Sequence, residues 1–352
     1  MTLSIITPCY NGAEFVEAAI QSVLRQDTED VELLLINDGS TDETDEICQP
    51  YIGVHPGHPS VRYYKTPNKG AGHARNYGID RANGQWIAFL DADDLYLDQA
   101  FNNRFFTKLS KYFTEKVDVI QTAKLKTDLM LSQEVGILMP EQLEDVQNHI
   151  PMLEFWTCIY RHDFLTLNGI RFYEYRQQDV ETAFRYLAYS YAGNICIDTF
   201  MNFYLQRDNL QSNTHTWNTY HLHQIKSSIY YDLYKRTPCK GDCAFLYRII
   251  VEQLAAYYKL CHEYGYDSKS GFETMHKLFS NIKKLPSTLQ TPELSAQLKQ
   301  IGRWDLKTRI FGPKLRTSSD TPQKKHVENP AIPLDVLFQR LTDLSPALLR
   351  IK

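Results

Sequence analysis

Gln85-Trp86-Ile87-Ala88-Phe89-Leu90-Asp91-Ala92-Asp93-Asp94 is an apolar run that breaks, at its C-terminal end, into three carboxylates within four positions. A short, continuous apolar run bounded by polar residues is the pattern of a strand buried on both faces, as in a parallel sheet. Carboxylates this close repel one another unless a cation or a set of hydrogen bonds compensates them. Oxygen ligands of this kind suit Mg²⁺ or Mn²⁺, whose octahedral shell usually takes one or two carboxylates together with phosphate oxygens and water. The same residues also fit an acidic turn that opens the next helix and is favoured by its N-terminal dipole.

The segments upstream repeat the design. Leu3 to Thr7 reads as a buried strand, Glu14 to Arg25 as a helix, Val31 to Asn37 as a strand and Ser40 to Ile52 as a helix. Val61 to Lys65 and Gly70 to Ala82 continue the alternation up to the strand at 85–90. Asn11 before the first helix and the Ser40–Glu43 pair, a capping-box spacing, mark helix starts. Strand, helix, strand in succession calls for an α/β fold with a doubly wound, mostly parallel, Rossmann-like sheet. Ligands of such sheets sit beyond the strand C-termini, and Tyr10, Asn11, Asp38 and Asp91 all follow a strand directly. Asp38 could accept hydrogen bonds from a nucleobase or ribose there, or form an Asx turn into the next helix. In Asn68-Lys69-Gly70-Ala71-Gly72-His73-Ala74-Arg75-Asn76 two flexible glycines and three basic residues gather at a helix N-terminus, a combination suited to phosphate.

Downstream the pattern loosens. A helix near Asp98 to Tyr112, a strand at Val117 to Ala123, a helix at Asp179 to Ala192 and strands at Ile195 to Asp198 and Asn202 to Gln206 complete an expected catalytic domain over 1–212, its halves meeting at 97/98. Residues 213–296 read as a helical extension, with Leu246, Ile249, Ile250, Gln253, Leu254, Tyr257 and Tyr258 on one apolar stripe. Residues 297–352 read as a basic linker and amphipathic tail. They hold 11 Lys and Arg against 5 Asp and Glu in a chain whose net charge is −4. Such a tail suits peripheral contact with an anionic bilayer, or a solvated face. The 352 residues, 43% hydrophobic and 23% charged, are ordinary for a globular protein, and no apolar stretch approaches a bilayer span. Met1 runs almost at once into Leu3–Ile6, which leaves no room for an export signal, so a cytoplasmic chain is expected. Seven scattered cysteines point to free thiols, and the Cys239/Cys243 pair lacks a second pair at zinc spacing.

Four motifs in order, Ser4-Ile5-Ile6-Thr7-Pro8-Cys9-Tyr10-Asn11, Asn37-Asp38-Gly39-Ser40-Thr41-Asp42, Asn68-Lys69-Gly70 through Arg75-Asn76, and Leu90-Asp91-Ala92-Asp93-Asp94, resemble those of family 2 glycosyltransferases. The resemblance covers residues 3–97 and continues more weakly through Tyr160-Arg161-His162-Asp163-Phe164-Leu165 and Gln178-Asp179-Val180-Glu181, where Gln178 replaces the family's usual Glu. It implies a GT-A fold with a C-terminal helical extension and a nucleotide-sugar donor, a UDP-sugar first. Inverting transfer to a glycan or lipid-linked acceptor is implied with it, as in cell-surface polysaccharide synthesis. It further implies Asp93 and Asp91 as ligands of Mn²⁺ or Mg²⁺, and donor contacts from Pro8, Tyr10, Asn11, Asp38, Lys69, Arg75, Asp91, Ala92 and Arg207. Asp179 takes the place of the general base, with Glu181 as its substitute. Nucleic acid is not an expected partner. A non-catalytic sugar-nucleotide-binding module and a sugar nucleotidyltransferase are the alternatives. The second expects a Gly-rich, Arg-containing loop where Pro8-Cys9-Tyr10-Asn11-Gly12 stands.

Overall fold

In a computed structural model, residues 2–128, 136–138, 155–174, 180–198, 201, 204–208, 219–236, 243–264, 269–284 and 291–311 are described. The first unit runs β1 (Leu3–Cys9), α1 (Val16–Leu24), β2 (Val31–Asn37), α2 (Thr44–Cys48), β3 (Ser60–Lys65), α3 (Ala71–Ile79), β4 (Trp86–Phe89) and β5 (Leu95–Tyr96). It continues with α4 (Asn103–Thr114), β6 (Val119–Thr122), β7 (Lys124–Asp128), β8 (Gly136–Leu138), β9 (Cys158–Arg161), α5 (His162–Leu167), α6 (Val180–Tyr191), β10 (Ile195–Asp198) and β11 (Tyr204–Asp208). Four helices form the second unit: α7 (Thr219–Arg236), α8 (Cys243–Tyr264), α9 (Lys269–Ile282) and α10 (Pro292–Phe311).

The main sheet has the order β10-β6-β9-β4-β1-β2-β3. β3, β2, β1 and β4 run parallel, β10 runs parallel to β6, and β9 alone is antiparallel to both its neighbours. All seven residues of β2 and all four of β4 are buried, as the apolar run of β4 and the largely apolar run of β2 require. α1 covers the sheet with Val16, Ala18, Ala19, Ile20 and Val23. A smaller sheet, β5-β11-β7-β8, pairs Leu205 of β11 with Leu95, the residue after Asp94. That pairing brings a strand from far down the chain onto the carboxylate run.

β2 hides a buried charge that its apolar pattern does not announce. Glu32 accepts from Ser4 Oγ at 2.6 Å, from the Asn83 N–H at 2.6 Å and from Arg62 Nη1 at 2.9 Å. Burial opposes the charge, but these donors outweigh it and hold the Glu32 pKa below its usual range.

Several expected boundaries move. The helix expected from Ser40 contracts to Thr44–Cys48 and a 3-10 turn at Gln49–Tyr51, and no capping box forms. Ser40 Oγ instead accepts from the Asn11 N–H, and Thr44 takes its cap from Asp42 Oδ1 at 3.2 Å. Asn11 likewise caps no helix, since α1 begins only at Val16. The helix expected near Asp98 starts at Asn103, where Asn102 Oδ1 accepts from the Phe105 N–H. The boundary expected at 296/297 falls inside α10, which buries Leu294, Leu298 and Ile301. Lys299 and Arg303 therefore lie on the exposed side of a packed helix. The amphipathic tail and the basic residues from Lys314 onward lie outside the described residues. In the helical unit, Leu246, Ile250, Leu254, Tyr257 and Tyr258 of the stripe are buried, Ile249 and Gln253 are half-buried, and Asp305 accepts from the Tyr258 hydroxyl at 2.8 Å. Cys9, Cys48, Cys158, Cys196 and Cys261 are free thiols.

Candidate active site

Parallel pairing aligns the ends of the central strands. Cys9 stands opposite Asn37, and the Leu90 N–H donates to the Ile6 carbonyl at 3.1 Å, so Tyr10, Asp38 and Asp91 leave the sheet on one rim. Asn11, in the left-handed region at φ 48°, turns the first loop back on the second. Its Oδ1 accepts from the Thr41 N–H at 2.8 Å, while the Gly12 N–H donates to Thr44 Oγ1 and the Ala13 N–H to Asp42 Oδ2. A Cβ on Gly12 would lie 3.8 Å from that of Ala92, so the latched pair of loops also flanks the carboxylate turn. Tyr10 stays 53% exposed at this rim, and Lys69, two residues before α3, is exposed.

Asp38 is 2% exposed, and its two oxygens accept from the Lys69 N–H at 3.0 Å and the Gly70 N–H at 2.7 Å. It braces the turn into α3 instead of offering a free carboxylate to a nucleobase. Gly39 makes room for this turn: its φ is +73°, and a Cβ there would meet the Asn68 nitrogen at 2.7 Å.

The three carboxylates separate by environment. Asp94 is 3% exposed, with Oδ2 accepting from the Tyr204 hydroxyl at 2.6 Å and Oδ1 from the Arg207 N–H at 2.8 Å. Burial, with the charges of Asp93 and Asp91, pushes its pKa well above the carboxylate range. Asp91 and Asp93 remain partly exposed. Arg207 is buried on β11, where Nε donates to the Asp93 carbonyl at 2.6 Å and Nη2 has no hydrogen-bond partner among the described residues.

Arg75 departs from expectation. Its side chain is 3% exposed, Nη2 donates to Asp91 at 2.8 Å and Nη1 to Glu181 at 2.9 Å, while Nε has no hydrogen-bond partner among the described residues. Burial works against the charge, and the two carboxylates more than compensate, so its pKa rises. Asp179 lies outside the described residues, and Glu181 stands in the first turn of α6. Tyr204, whose hydroxyl reaches both Asp94 and the Asp91 N–H, is a site residue that the pattern of apolar alternation does not single out.

Residues 4–124 match the model of Glycosyl transferase family 2. Over these residues, about a third of the chain, it is similar to family 2 glycosyltransferases. Over 185 residues it is 30% identical to the uncharacterized glycosyltransferase YibD of Escherichia coli, a match over 48% of this chain and 51% of YibD. Over 102 residues it is 39% identical to the minor teichoic acid biosynthesis protein GgaB of Bacillus subtilis, covering 28% of this chain and 11% of GgaB. The chain thus spans about half of one of these relatives and about a tenth of the other. Among solved structures, residues 1–349 of S. aureus TarS in complex with UDP-GlcNAc superpose with a TM-score of 0.60 at 16% identity, over 93% of this chain and 100% of that one. The likeness shows the GT-A fold, a mostly parallel mixed sheet followed by helices.

Among the described residues no three His, Cys, Asp or Glu side chains gather as a metal cluster. Asp91 and Asp93 fit instead the divalent sites that use one or two carboxylates and leave the remaining positions to phosphate and water.

Proposed function

We propose that this chain is an inverting glycosyltransferase that moves a sugar from a nucleotide-diphosphate donor to a hydroxyl of a glycan or lipid-linked acceptor. The observation that carries the reading is the partly exposed pair Asp91 and Asp93 on the rim where three strand-end loops of a family 2 domain converge. The UDP-GlcNAc held by TarS, a protein of the same fold, supports a UDP-sugar as the first donor to try, and GgaB supports a cell-surface polymer as the setting.

In this reading Asp93 holds Mn²⁺ or Mg²⁺ with Asp91 in its shell, and the bound metal supplies neutralisation of the charge on the departing diphosphate. Pro8, Tyr10, Asn11 and Ala92 line the donor rim, with the exposed Tyr10 ring free to cover a base. Lys69 and the unpartnered Nη2 of Arg207 provide cations for the phosphates. Asp38 contributes from below, by fixing the Lys69 and Gly70 backbone. Asp179 removes the acceptor proton as the hydroxyl attacks the anomeric carbon, in one displacement with no covalent intermediate. Glu181 is a poorer base, because its carboxylate is paired with Arg75. The basic residues from Lys299 onward make contact with an anionic membrane surface that brings the site to a lipid-linked acceptor.

A thermal-shift screen of UDP-, GDP- and dTDP-sugars, each with and without Mn²⁺, tests the donor site. A ligand at one hundred times its dissociation constant adds about 2.7 kcal/mol of stability. A UDP-sugar is expected to raise Tm only with Mn²⁺, and Asp93→Asn is expected to remove that rise. No response to any donor sinks the proposal. Binding without donor hydrolysis or transfer favours a sugar-nucleotide-binding module.

A further inference from the structure

Arg75 joins two elements distant in sequence, the carboxylate turn after β4 and the first turn of α6. Its guanidinium lies 4.5 Å from the ring centre of Phe155 and 5.4 Å from that of Phe172. Phe172 in turn stacks on Phe184 of α6 with centres 3.9 Å apart. The cation is 3% exposed, whereas its partners Asp91 and Glu181 are 24% and 30% exposed. The buried member of the triad is therefore the arginine, and the two carboxylates are the parts that reach the rim. A planar fork with two amino groups holds two acceptors at fixed directions, which a lysine ammonium on a flexible stem does not.

We propose that Arg75 is a positioning residue and not a donor ligand: it ties Asp91 to Glu181, so that a nucleoside diphosphate bound at the carboxylate turn is felt in the first turns of α6. The inference rests on reading the rim as a nucleotide-sugar site. Its physical basis is a shared cation. Whatever draws on the charge of Asp91 changes the hold that Arg75 has on Glu181, and the aromatic shelf of Phe155, Phe172 and Phe184 keeps the guanidinium from following either carboxylate alone. The helix that responds is the one that begins directly after Asp179 in sequence, so donor occupancy and the acceptor side of the reaction become linked through one side chain. Such linkage is reciprocal and needs no change of fold.

The test uses the full chain, UDP with Mn²⁺, calorimetric titration for affinity and hydrogen exchange of amides 184–188 in α6. In the unmodified protein UDP is expected to slow exchange of these amides several-fold. Arg75→Lys is expected to lose the slowing and, because the linkage is reciprocal, to weaken UDP binding by no more than the same several-fold factor. Glu181→Gln, which leaves the Arg75–Asp91 contact in place, is expected to do the same, and it carries the test should Arg75→Lys fail to fold. A loss of UDP affinity of about tenfold or more in Arg75→Lys makes Arg75 a phosphate ligand and overturns the proposal. Slowing that persists in both variants, or that is missing in the unmodified protein although UDP binds, overturns it as well. Failure of the unmodified protein to bind UDP, GDP or dTDP removes the nucleotide site itself, and the coupling with it.

Discussion

Asp38 shows how much a single side chain can mean in a sequence and how differently it is spent in the fold. Its place after β2 is legible from Val31–Asn37, because an apolar run followed by Asp-Gly-Ser has few other readings. Its partners are not, since the Lys69 and Gly70 N–H groups come from a turn about thirty residues on, and only the β2–β3 pairing brings them near. The same holds for Arg75, which sequence places at a phosphate-friendly helix start and the fold encloses between Phe155 and Phe172. Asp38→Asn tests the bracing role. An amide can accept one of the two N–H groups but must point its own NH₂ at the other, and an unsatisfied buried group costs on the order of 1 to 3 kcal/mol. Tm is expected to fall, and UDP affinity to fall with it because Lys69 is no longer held. Unchanged Tm together with weakened UDP binding would instead make Asp38 a direct donor ligand.

At the level of elements, the parallel core β3-β2-β1-β4 and its helices are readable because β4 is wholly and β1 largely apolar, β2 is apolar apart from Glu32 and its terminal Asn37, and each turn carries polar punctuation. The smaller sheet is not, because β5 and β11 are short and their pairing joins Leu95 to Leu205 across more than a hundred residues. Yet that pairing delivers Tyr204 and Arg207 to Asp94 and Asp93 and so completes the carboxylate turn. Glu32 is the matching case inside the core: within Val31–Asn37 it looks like an exception to a buried strand, and in the fold it joins β1, β3 and the segment before β4. Its folded pKa lies below the ordinary value of 4.5, so its contribution is complete above that value and is lost as pH falls through the folded pKa. Glu32→Gln is therefore expected to lower Tm at pH 7, with the gap to the unmodified protein narrowing as pH falls below the ordinary value of 4.5. Thermal melts across that range check the sign. A gap that stays constant, or widens on acidification, means that the ionised carboxylate is not what stabilises the sheet.

On the scale of the whole molecule, charge is divided unevenly, with a basic C-terminal region on an otherwise acidic chain. Periodicity identifies the helical unit through the stripe on α8, but it misplaces the start of the basic region, because Leu294, Leu298 and Ile301 are spaced for packing while Lys299 and Arg303 occupy the exposed positions between them. This arrangement makes part of the cationic surface rigid. Among the described residues no helix is long and apolar enough to cross a membrane, and the bilayer contact proposed above for this region would be of the electrostatic, peripheral kind. Such contact falls steeply with salt, since exposed charges are screened beyond about 8 Å at physiological ionic strength. The full chain is expected to co-sediment with phosphatidylglycerol vesicles at low salt, to be released by added salt, and to ignore phosphatidylcholine vesicles. The double variant Lys299→Glu with Arg303→Glu is expected to weaken the association while leaving UDP binding intact, because α10 belongs to the helical unit and the nucleotide rim to the other. Equal sedimentation of both proteins, or none of either, removes the α10 surface as the membrane contact and leaves the acceptor to be met in solution.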